Sequence, residues 1–122
     1  MMDVDQFKYI NDTYGHIVGD EVLLIIGKVI QQQLRSSDVA ARWGGDEFII
    51  LLPETSSDGT LRVVQRINNE LTRQAWPTAE PITVSFGISS IQPGVLPEDV
   101  FQRTDNALYQ AKQNSIDKII IQ

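Results

Sequence analysis

The spacing of apolar and polar positions predicts a β-hairpin in the first half of the chain. A continuous apolar run from Phe48 to Leu52 follows the tetrad Gly44-Gly45-Asp46-Glu47, and Arg42-Trp43 end the segment before it. A short apolar run next to a glycine-rich turn is typical of a strand. Glycine permits positive φ and close approach by another molecule, but Gly-Gly-Asp is also ordinary turn chemistry. A functional turn and a merely solvated turn are both consistent with the hairpin alone.

Apolar residues at helical spacing predict four helices. The first is expected from Gln6 to Thr13, with Asp5 as its N-cap, and the second from about Gly19 to Leu34. The third is expected to begin at a Thr60 cap, and the fourth to run from about Pro97 to Gln113.

Three further strands complete the predicted order β, α, α, β, β, α, β, α, β: a short one ending at Asp3, one from Ile82 to Ser89, and one from Lys118 to Ile121. This order predicts an α/β (α+β) sandwich, in which helices cover a central, mixed, largely antiparallel five-stranded sheet. Strands usually run about five or six residues, so the short first strand is not expected at the centre of the sheet. Its brevity favours a natural domain that begins earlier, and a native late start is the alternative.

Composition restricts the class of function. The 122 residues suffice for one domain with a core, and no apolar run is long enough to span a bilayer. Absence of cysteine excludes disulfides, thiolate metal sites and cysteine nucleophiles, and it fits a cytoplasmic location. A net charge of -6 argues against nucleic acid as a ligand. Phosphate ligands stay admissible if carboxylates hold a divalent cation between protein and phosphate.

The acidic residues suggest such a cation site. Asp3 ends the first strand and Asp46 lies in the hairpin turn, so neighbouring strands would bring both to one sheet edge. With the carbonyl of Val4 they form a hard oxygen site suited to magnesium. Lys8 follows at a helix N-terminus, where free N–H groups can receive phosphate oxygens. The alternative is that Asp3 and Asp5 serve only as strand-end and cap acids.

Several blocks, in order, resemble the GGDEF family, the diguanylate cyclases, over nearly the whole chain. The blocks are Asp3-Val4-Asp5-Gln6-Phe7-Lys8, Ile10-Asn11-Asp12-Thr13-Tyr14-Gly15-His16, Gly19-Asp20-Glu21, Arg42-Trp43-Gly44-Gly45-Asp46-Glu47-Phe48, Val84-Ser85-Phe86-Gly87-Ile88 and Asp105-Asn106-Ala107-Leu108-Tyr109-Gln110-Ala111-Lys112. The resemblance implies a single GGDEF domain over residues 1–122, lacking the family's N-terminal helix and most of its first strand. It also implies a fold like that of nucleotidyl cyclases and polymerase palm (ferredoxin-like) domains.

The resemblance implies condensation of two GTP molecules into cyclic di-GMP and two pyrophosphates, with Mg²⁺ (or Mn²⁺), in a two-fold homodimer. The net charge and the lack of a spanning apolar run add the expectation of no nucleic-acid partner and no membrane contact from this chain. Asp3, the Val4 carbonyl and Asp46 would hold the metal. Glu47 would lie beside the ribose 3′-hydroxyl, and the choice of base between Glu47 and Asp46 stays open.

The resemblance also assigns substrate contacts. Gly44 and Gly45 would admit the α-phosphate. The β- and γ-phosphates would be held by Lys8, by Lys112 and by the amides near Phe7. The guanine edge would be read by Asn11 and Asp20, since a carboxylate facing N1–H and the amino group discriminates against adenine. His16 either lines the same pocket or serves the loop structurally.

A product-inhibition site is implied upstream of the hairpin. Arg35 and Asp38 match the family's Arg-x-x-Asp pattern, and Arg66 matches a further arginine of that site. The alternative is an inert surface ion pair.

One position departs from the family pattern. Ile116 stands where family members carry an arginine that touches the triphosphate, which predicts weaker GTP binding unless Lys118 substitutes for it. Two alternative functions therefore stay open: a degenerate domain that binds cyclic di-GMP or GTP as a regulatory module, and a non-catalytic interaction domain.

Overall fold

The computed structural model describes residues 1–122, which fold into five strands and four helices. In chain order these are β1 (Met2–Val4), α1 (Phe7–Tyr14), α2 (His16–Gln33), β2 (Val39–Arg42), β3 (Glu47–Leu51), α3 (Ser57–Thr72), β4 (Val84–Ile88), α4 (Pro97–Gln113) and β5 (Ile119–Ile121). The strands form one sheet in the order β2-β3-β1-β4-β5. Only the β4–β5 pair is parallel, so the predicted α/β sandwich with a mixed, largely antiparallel sheet is confirmed.

The expectation that the short first strand avoids the centre of the sheet is wrong. β1 has three residues, yet it lies between β3 and β4. Met2 and Val4 are fully buried, and the ladder extends past the strand because the Asp5 N–H donates to Thr83 O at 2.9 Å. Burial on both faces and pairing on both edges compensate for the small number of residues.

The two faces of the sheet are covered by different helices. Met2, Val4 and Phe86 belong to one hydrophobic cluster with the buried residues of α2 and α3. On the other face α4 approaches so closely that a β-carbon on Gly87 would lie 2.5 Å from Thr104 O. Asp3, which alternates with Met2 and Val4, therefore faces the α4 side of the sheet.

Two helices have N-caps other than those that the sequence indicated. Asp5 is not the N-cap of α1, because its carboxylate accepts hydrogen bonds from Thr83 and Ser85, each at 2.7 Å. Gln6 occupies the cap position instead, with left-handed backbone (φ 53°) and no side-chain cap. Similarly, Ser56 rather than Thr60 caps α3, accepting from the Gly59 N–H at 3.1 Å.

The second helix is longer than expected and the fourth is as predicted. α2 begins at His16, directly after Gly15, where φ is 91°. A positive φ, which glycine adopts readily, lets the chain change direction between α1 and α2 at a single residue. The predicted limits of α4 agree with the structure.

A cavity of about 750 Å³ lies between β3 and β4, beyond the end of β1. Fifteen of its 25 lining residues are hydrophobic, including Ile50 and Ile88. Met1 is also a lining residue. Its ammonium donates to Gly87 O at 2.8 Å, and burial lowers the pKa of this amine from 8.0 to about 6.

None of the four helices combines the length and the apolarity that crossing a membrane requires.

Candidate active site

The tip of the β2–β3 hairpin is fastened by the side chain of Arg42. Its Nε donates to Gly44 O at 3.1 Å, and its Nη2 donates to Gly45 O at 2.8 Å. The Trp43 N–H closes the turn by donating to Glu47 O at 2.8 Å. Neither glycine adopts positive φ, so the turn does not use that freedom of glycine. The role of Arg42 was not foreseen from the sequence, because an arginine at a strand end is ordinarily a surface charge.

The two glycines differ in the space around them. A β-carbon on Gly44 would lie 3.2 Å from Glu47 Oε2, whereas one on Gly45 would meet no atom within 4 Å. The outer side of the turn at Gly45 is therefore open to another molecule. Next to the turn, Trp43 packs against Phe101 of α4 with ring centroids 5.5 Å apart, which links the hairpin to that helix.

Three carboxylates, those of Asp3, Asp46 and Glu47, are close enough for their charges to interact where the hairpin meets β1. Asp3 pairs in register with Glu47, and Asp46 O accepts from the Val4 N–H at 3.1 Å. Asp3 is only 5% exposed. Burial raises the pKa of Asp3 most, and the negative charges of Asp46 and Glu47 raise it further, while Lys112 acts in the opposite direction. A bound cation would relieve the mutual repulsion of the three carboxylates.

The expected metal-binding residues fit a hard divalent cation. The structure contains no cluster of three or more His, Cys, Asp or Glu side chains arranged as a metal site, so a carbonyl or a non-protein ligand would have to contribute. Asp3 and Asp46 are close enough for their charges to interact. Val4 follows Asp3 in the chain, and its backbone N–H donates a hydrogen bond to Asp46 O. Two carboxylates and a carbonyl suit Mg²⁺, which usually keeps several water or phosphate ligands.

The start of α1 carries free donors next to this acidic site. The helix has no side-chain cap and no acidic residue in its first turn, so its first N–H groups are not satisfied by the chain itself. These include the N–H groups of Phe7 and Lys8, and Lys8 is exposed and forms no ion pair. The arrangement favours an anionic ligand at this helix end.

Asp5 holds the turn between β1 and α1. Besides Thr83 and Ser85, it has Lys118 as a neighbour, with Nζ 3.7 Å from Oδ2. Ser85 is fully buried. The alternation of polar residues along β4 indicated that Thr83 and Ser85 share one face of the sheet. It did not indicate Asp5 as their partner, because Asp5 lies 78 and 80 positions earlier in the chain.

Asn11 lies against the start of α2, beside Asp20. Its Cγ would be 3.0 Å from a β-carbon on Gly19, and its Oδ1 would be closer still. Asp20 follows directly and is exposed. The structure thus brings the two residues expected to read guanine to neighbouring positions. His16 opens α2 and is exposed, with no hydrogen bond to the other expected site residues.

The residues of the expected product-inhibition site lie around the end of α2, each with partners inside the chain. The Arg35 Nη2 donates to Asp38 Oδ1 at 3.1 Å, to Pro53 O at 3.1 Å and to Thr55 Oγ1 at 3.0 Å. Arg66 instead donates to the carbonyl oxygen of a residue of α2, Gln33, at 2.9 Å.

The Arg35–Asp38 pair is asymmetric in its exposure. The side chain of Arg35 is 59% exposed and that of Asp38 only 2%. Hydrogen bonds from Arg35 hold the pKa of Asp38 below its usual range. The carboxylate of Asp38 is therefore buried and held in place, whereas the guanidinium of Arg35 is accessible to solvent.

Ile116 lies on the surface and supplies no charge. It is 88% exposed, in a turn where Asn114 Oδ1 accepts from the Ile116 N–H and the Asp117 N–H, both at 2.9 Å. The next cation along the chain, Lys118, is directed towards Asp5.

The chain is similar to known proteins along nearly its whole length. The family model described as diguanylate cyclase, GGDEF domain, matches residues 1–118. Diguanylate cyclase DosC of Escherichia coli K12 is 41% identical over 123 residues, which is 98% of this chain and 27% of that protein. Diguanylate cyclase DgcM of the same organism is 35% identical over 120 residues, covering 98% of this chain and 29% of that protein. The chain therefore spans less than a third of these two relatives.

Solved structures agree with the fold. The GGDEF domain of DgcB from Caulobacter crescentus, in complex with c-di-GMP, superposes with a TM-score of 0.91 at 30% identity, covering 98% of this chain and 74% of that one. The active GGEEF domain of a diguanylate cyclase from Vibrio cholerae gives a TM-score of 0.89 at 34% identity, covering 98% of this chain and 78% of that one.

Proposed function

Since this chain belongs to the GGDEF domain family, we propose that it is a diguanylate cyclase domain that condenses two GTP molecules into cyclic di-GMP and two pyrophosphates. The observation that carries the proposal is the buried Asp3 carboxylate beside Asp46 and Glu47 at an open glycine turn. A solvated turn has no reason to concentrate three acids at a buried strand.

The acids would hold a divalent cation, Mg²⁺ or Mn²⁺. Asp3, Asp46 and the carbonyl of Val4 supply the oxygen ligands that such an ion prefers. When bound, the ion supplies Lewis-acid stabilisation of the charge that develops on the transferring phosphate.

The remaining groups hold and orient the triphosphate. The open side of Gly45 admits the α-phosphate to the hairpin, and the free N–H groups at the start of α1 receive the outer phosphates together with Lys8. Lys112, at the end of α4, adds a second cation on the Asp3 side.

The bond-forming step needs a proton acceptor at the hairpin. The ribose 3′-oxygen of one GTP attacks the α-phosphorus of the other, its proton passes to Glu47 or Asp46, and pyrophosphate leaves. Repetition with the two nucleotides exchanged closes the ring. Glu47 pairs with Asp3 across β1 and β3, and Asp46 is close enough for its charge to act on Asp3, which supports either acid as the proton acceptor.

Selectivity for guanine would come from Asn11 and Asp20 at the α1–α2 junction. An acceptor carboxylate satisfies the guanine N1–H and amino group and would be left unpaired by adenine. His16 lies at the same junction and is available to contact the base or ribose.

Each chain would hold one GTP, so synthesis requires a second copy facing the first. The rate should then rise with the square of protein concentration while the domains are largely monomeric. This relation distinguishes synthesis by two half-sites from single-site hydrolysis of GTP.

The proposal is tested by incubating the chain with GTP and Mg²⁺ and separating the nucleotide products. Cyclic di-GMP is expected at high protein concentration, and it should fall below detection in Asp46→Ala and in Glu47→Gln. Asp58→Asn is the matched control, because this exposed acid lies in the first turn of α3, which covers the opposite face of the sheet from Asp3. Absence of cyclic di-GMP at every protein concentration would refute the proposal.

A second candidate, a cyclic di-GMP-binding module, is favoured by one observation: Ile116 leaves the triphosphate without the family's arginine. Binding would use Arg35, Asp38 and Arg66 near the end of α2. Titration with cyclic di-GMP should show weaker binding for Arg35→Ala than for the control Arg62→Ala, an exposed arginine of α3. Equal affinity in both variants would remove this candidate.

A further inference from the structure

Two acid–lysine pairs lie side by side on the α4 face of β1. Lys112 Nζ is 2.6 Å from Asp3 Oδ1, and Lys118 Nζ is 3.7 Å from Asp5 Oδ2. The first pair joins residues 109 positions apart, one at the end of α4 and one in the central strand. The two pairs differ in what else surrounds the acid: Asp5 has two hydroxyl donors, whereas Asp3 faces Asp46 and Glu47.

Lys112 is the sole cation bonded to Asp3. The side chain of Asp3 is 7% exposed and that of Lys112 is 37% exposed, so the lysine reaches the acid from the solvent side. A buried carboxylate next to two further acids is costly unless a positive charge is in contact with it. In the chain without ligand, Lys112 supplies that charge.

Asp3 is also the carboxylate that the proposed metal would use. A divalent cation of this kind binds carboxylate oxygen at about 2.1 Å, and it repels an ammonium held in contact with the same carboxylate. A released lysine at this position would face the phosphates of a nucleotide.

We propose that Lys112 and the divalent cation are alternative partners of Asp3, so that metal binding frees the Lys112 ammonium for the phosphates of the nucleotide. This inference rests on the proposed function and deepens it. It makes metal and nucleotide binding mutually reinforcing: without nucleotide the metal must displace a lysine that gains no new partner. By reciprocity, nucleotide strengthens metal binding by the same factor as metal strengthens nucleotide binding.

The test measures Mn²⁺ affinity by calorimetry, first without nucleotide and then with a GTP analogue whose α–β bridge is methylene, which cannot release pyrophosphate. Without nucleotide, Lys112→Met should bind Mn²⁺ about tenfold more tightly than the unaltered chain, because nothing has to be displaced. With the analogue, this advantage should disappear, since the unaltered chain then regains a lysine–phosphate contact.

Lys118→Met is the matched control for charge. It removes the same positive charge from the neighbouring pair, which does not contact Asp3. Its Mn²⁺ affinity should change less than twofold. If both methionine variants gain equally, general electrostatics explains the effect and the exchange is refuted. Lys112→Arg keeps a cation at Asp3 and should retain the weak affinity of the unaltered chain.

A measurement on the unaltered chain covers the case in which Lys112→Met does not fold. The ¹⁵Nζ and ¹³Cε resonances of Lys112 should shift when Mg²⁺ is added without nucleotide, while those of Lys118 stay in place. Unchanged Lys112 resonances at saturating Mg²⁺ would overturn the exchange. If that result accompanies synthesis of cyclic di-GMP, only this inference fails. If neither Mn²⁺ nor the analogue binds any variant, the proposed function fails with it.

Discussion

The carboxamide of Asn11 lies over Gly19, with Cγ 3.0 Å from the point where a β-carbon on Gly19 would stand. Gly19 is buried and belongs to α2, so its lack of a side chain is what allows the α1 residue to approach. The contact fixes Asn11 next to Asp20, where the guanine edge would be read. This glycine therefore supports the proposed base pocket without touching the base.

Gly19→Ala should displace Asn11 and weaken binding of guanine nucleotides. We expect a loss of about tenfold in affinity for GTP analogues, measured by calorimetry, but a change of less than about 1 kcal/mol in the free energy of unfolding, because the Asn11 side chain can rotate away. The matched control is Gly27→Ala on the same helix, where a β-carbon meets nothing within 4 Å. Helix propensity should make that variant up to about 1 kcal/mol more stable, with nucleotide affinity unchanged. Equal nucleotide affinity in both variants would contradict the assignment.

Gly45→Ala should separate activity from stability. The new β-carbon meets no atom within 4 Å and the residue has no positive φ, so the free energy of unfolding should change by less than about 0.5 kcal/mol. The methyl group would, however, stand where the α-phosphate is proposed to approach the turn. Cyclic di-GMP formation should fall at least about tenfold, equivalent to roughly 1.4 kcal/mol in the barrier. A variant with full activity would show that the phosphate does not approach this side of the hairpin.

Gly87→Ala, unlike Gly45→Ala, should strongly lower the free energy of unfolding. Its β-carbon would lie 2.5 Å from Thr104 O and 2.9 Å from Leu108 Cα, both in α4, and backbone atoms cannot rotate away. We expect a destabilisation of about 1–3 kcal/mol or more, seen as a lower midpoint in urea unfolding. Since α4 carries Lys112, metal-dependent activity should also decline. A midpoint like that of Gly45→Ala would contradict the close packing of α4 on β4.

The buried amine of Met1 should make stability depend on pH. The pKa of an N-terminal amine is ordinarily 8.0, and burial lowers the pKa of the Met1 amine to about 6 in the folded chain. Between these values the unfolded chain holds the proton and the folded chain does not, so the free energy of unfolding rises with pH from about 6 to 8. Two pKa units correspond to about 2.7 kcal/mol. Urea titrations at pH 5.5 and 8.5 should show this rise, and a chain acetylated at Met1 should lack it.

Apolar residues added before Met1 should stabilise the fold. The register of β1 would place the next three positions opposite Ile50, Leu51 and Leu52 on β3, and the adjoining 750 Å³ cavity has a largely hydrophobic lining. An added Leu-Val-Leu should therefore raise the thermal midpoint by several degrees, since each buried side chain contributes about 1.5–3 kcal/mol at most. Ser-Gly-Ser is the control of equal length. Identical midpoints for the two extensions would show that the cavity does not accept a strand.

Local patterns predicted the elements whose determinants are local. α4 was delimited correctly because its apolar stripe, an initial Pro97 and a following polar segment all agree. The hairpin was predicted from its glycine turn and apolar run, apart from a shift of one residue at each end of β3. In both cases the information lies within a few residues of the element itself.

The features that were missed depend on residues far apart in the chain. The local sequence predicts a helix cap at Asp5, because nothing nearby reveals that its oxygens accept hydrogen bonds from Thr83 and Ser85. The central place of β1 was missed because strand length is a weak guide when both neighbours are supplied by distant segments. Family blocks indicated Asn11 and Asp20 together, but the role of Gly19 became evident only from the packing of α1 on α2.

The central position of β1 has a consequence for biosynthesis. This strand leaves the ribosome first among the elements, yet it cannot pair until β3 and then β4 have been made, and the Asp3–Lys112 bond spans 109 positions. Long-range pairings of this kind slow folding, because the chain loses conformational entropy in closing large loops before the stabilising contacts form. The nascent chain therefore keeps its proposed metal-binding acid exposed to water until α4 has been made. A half-made domain would have no protected site at which to consume GTP.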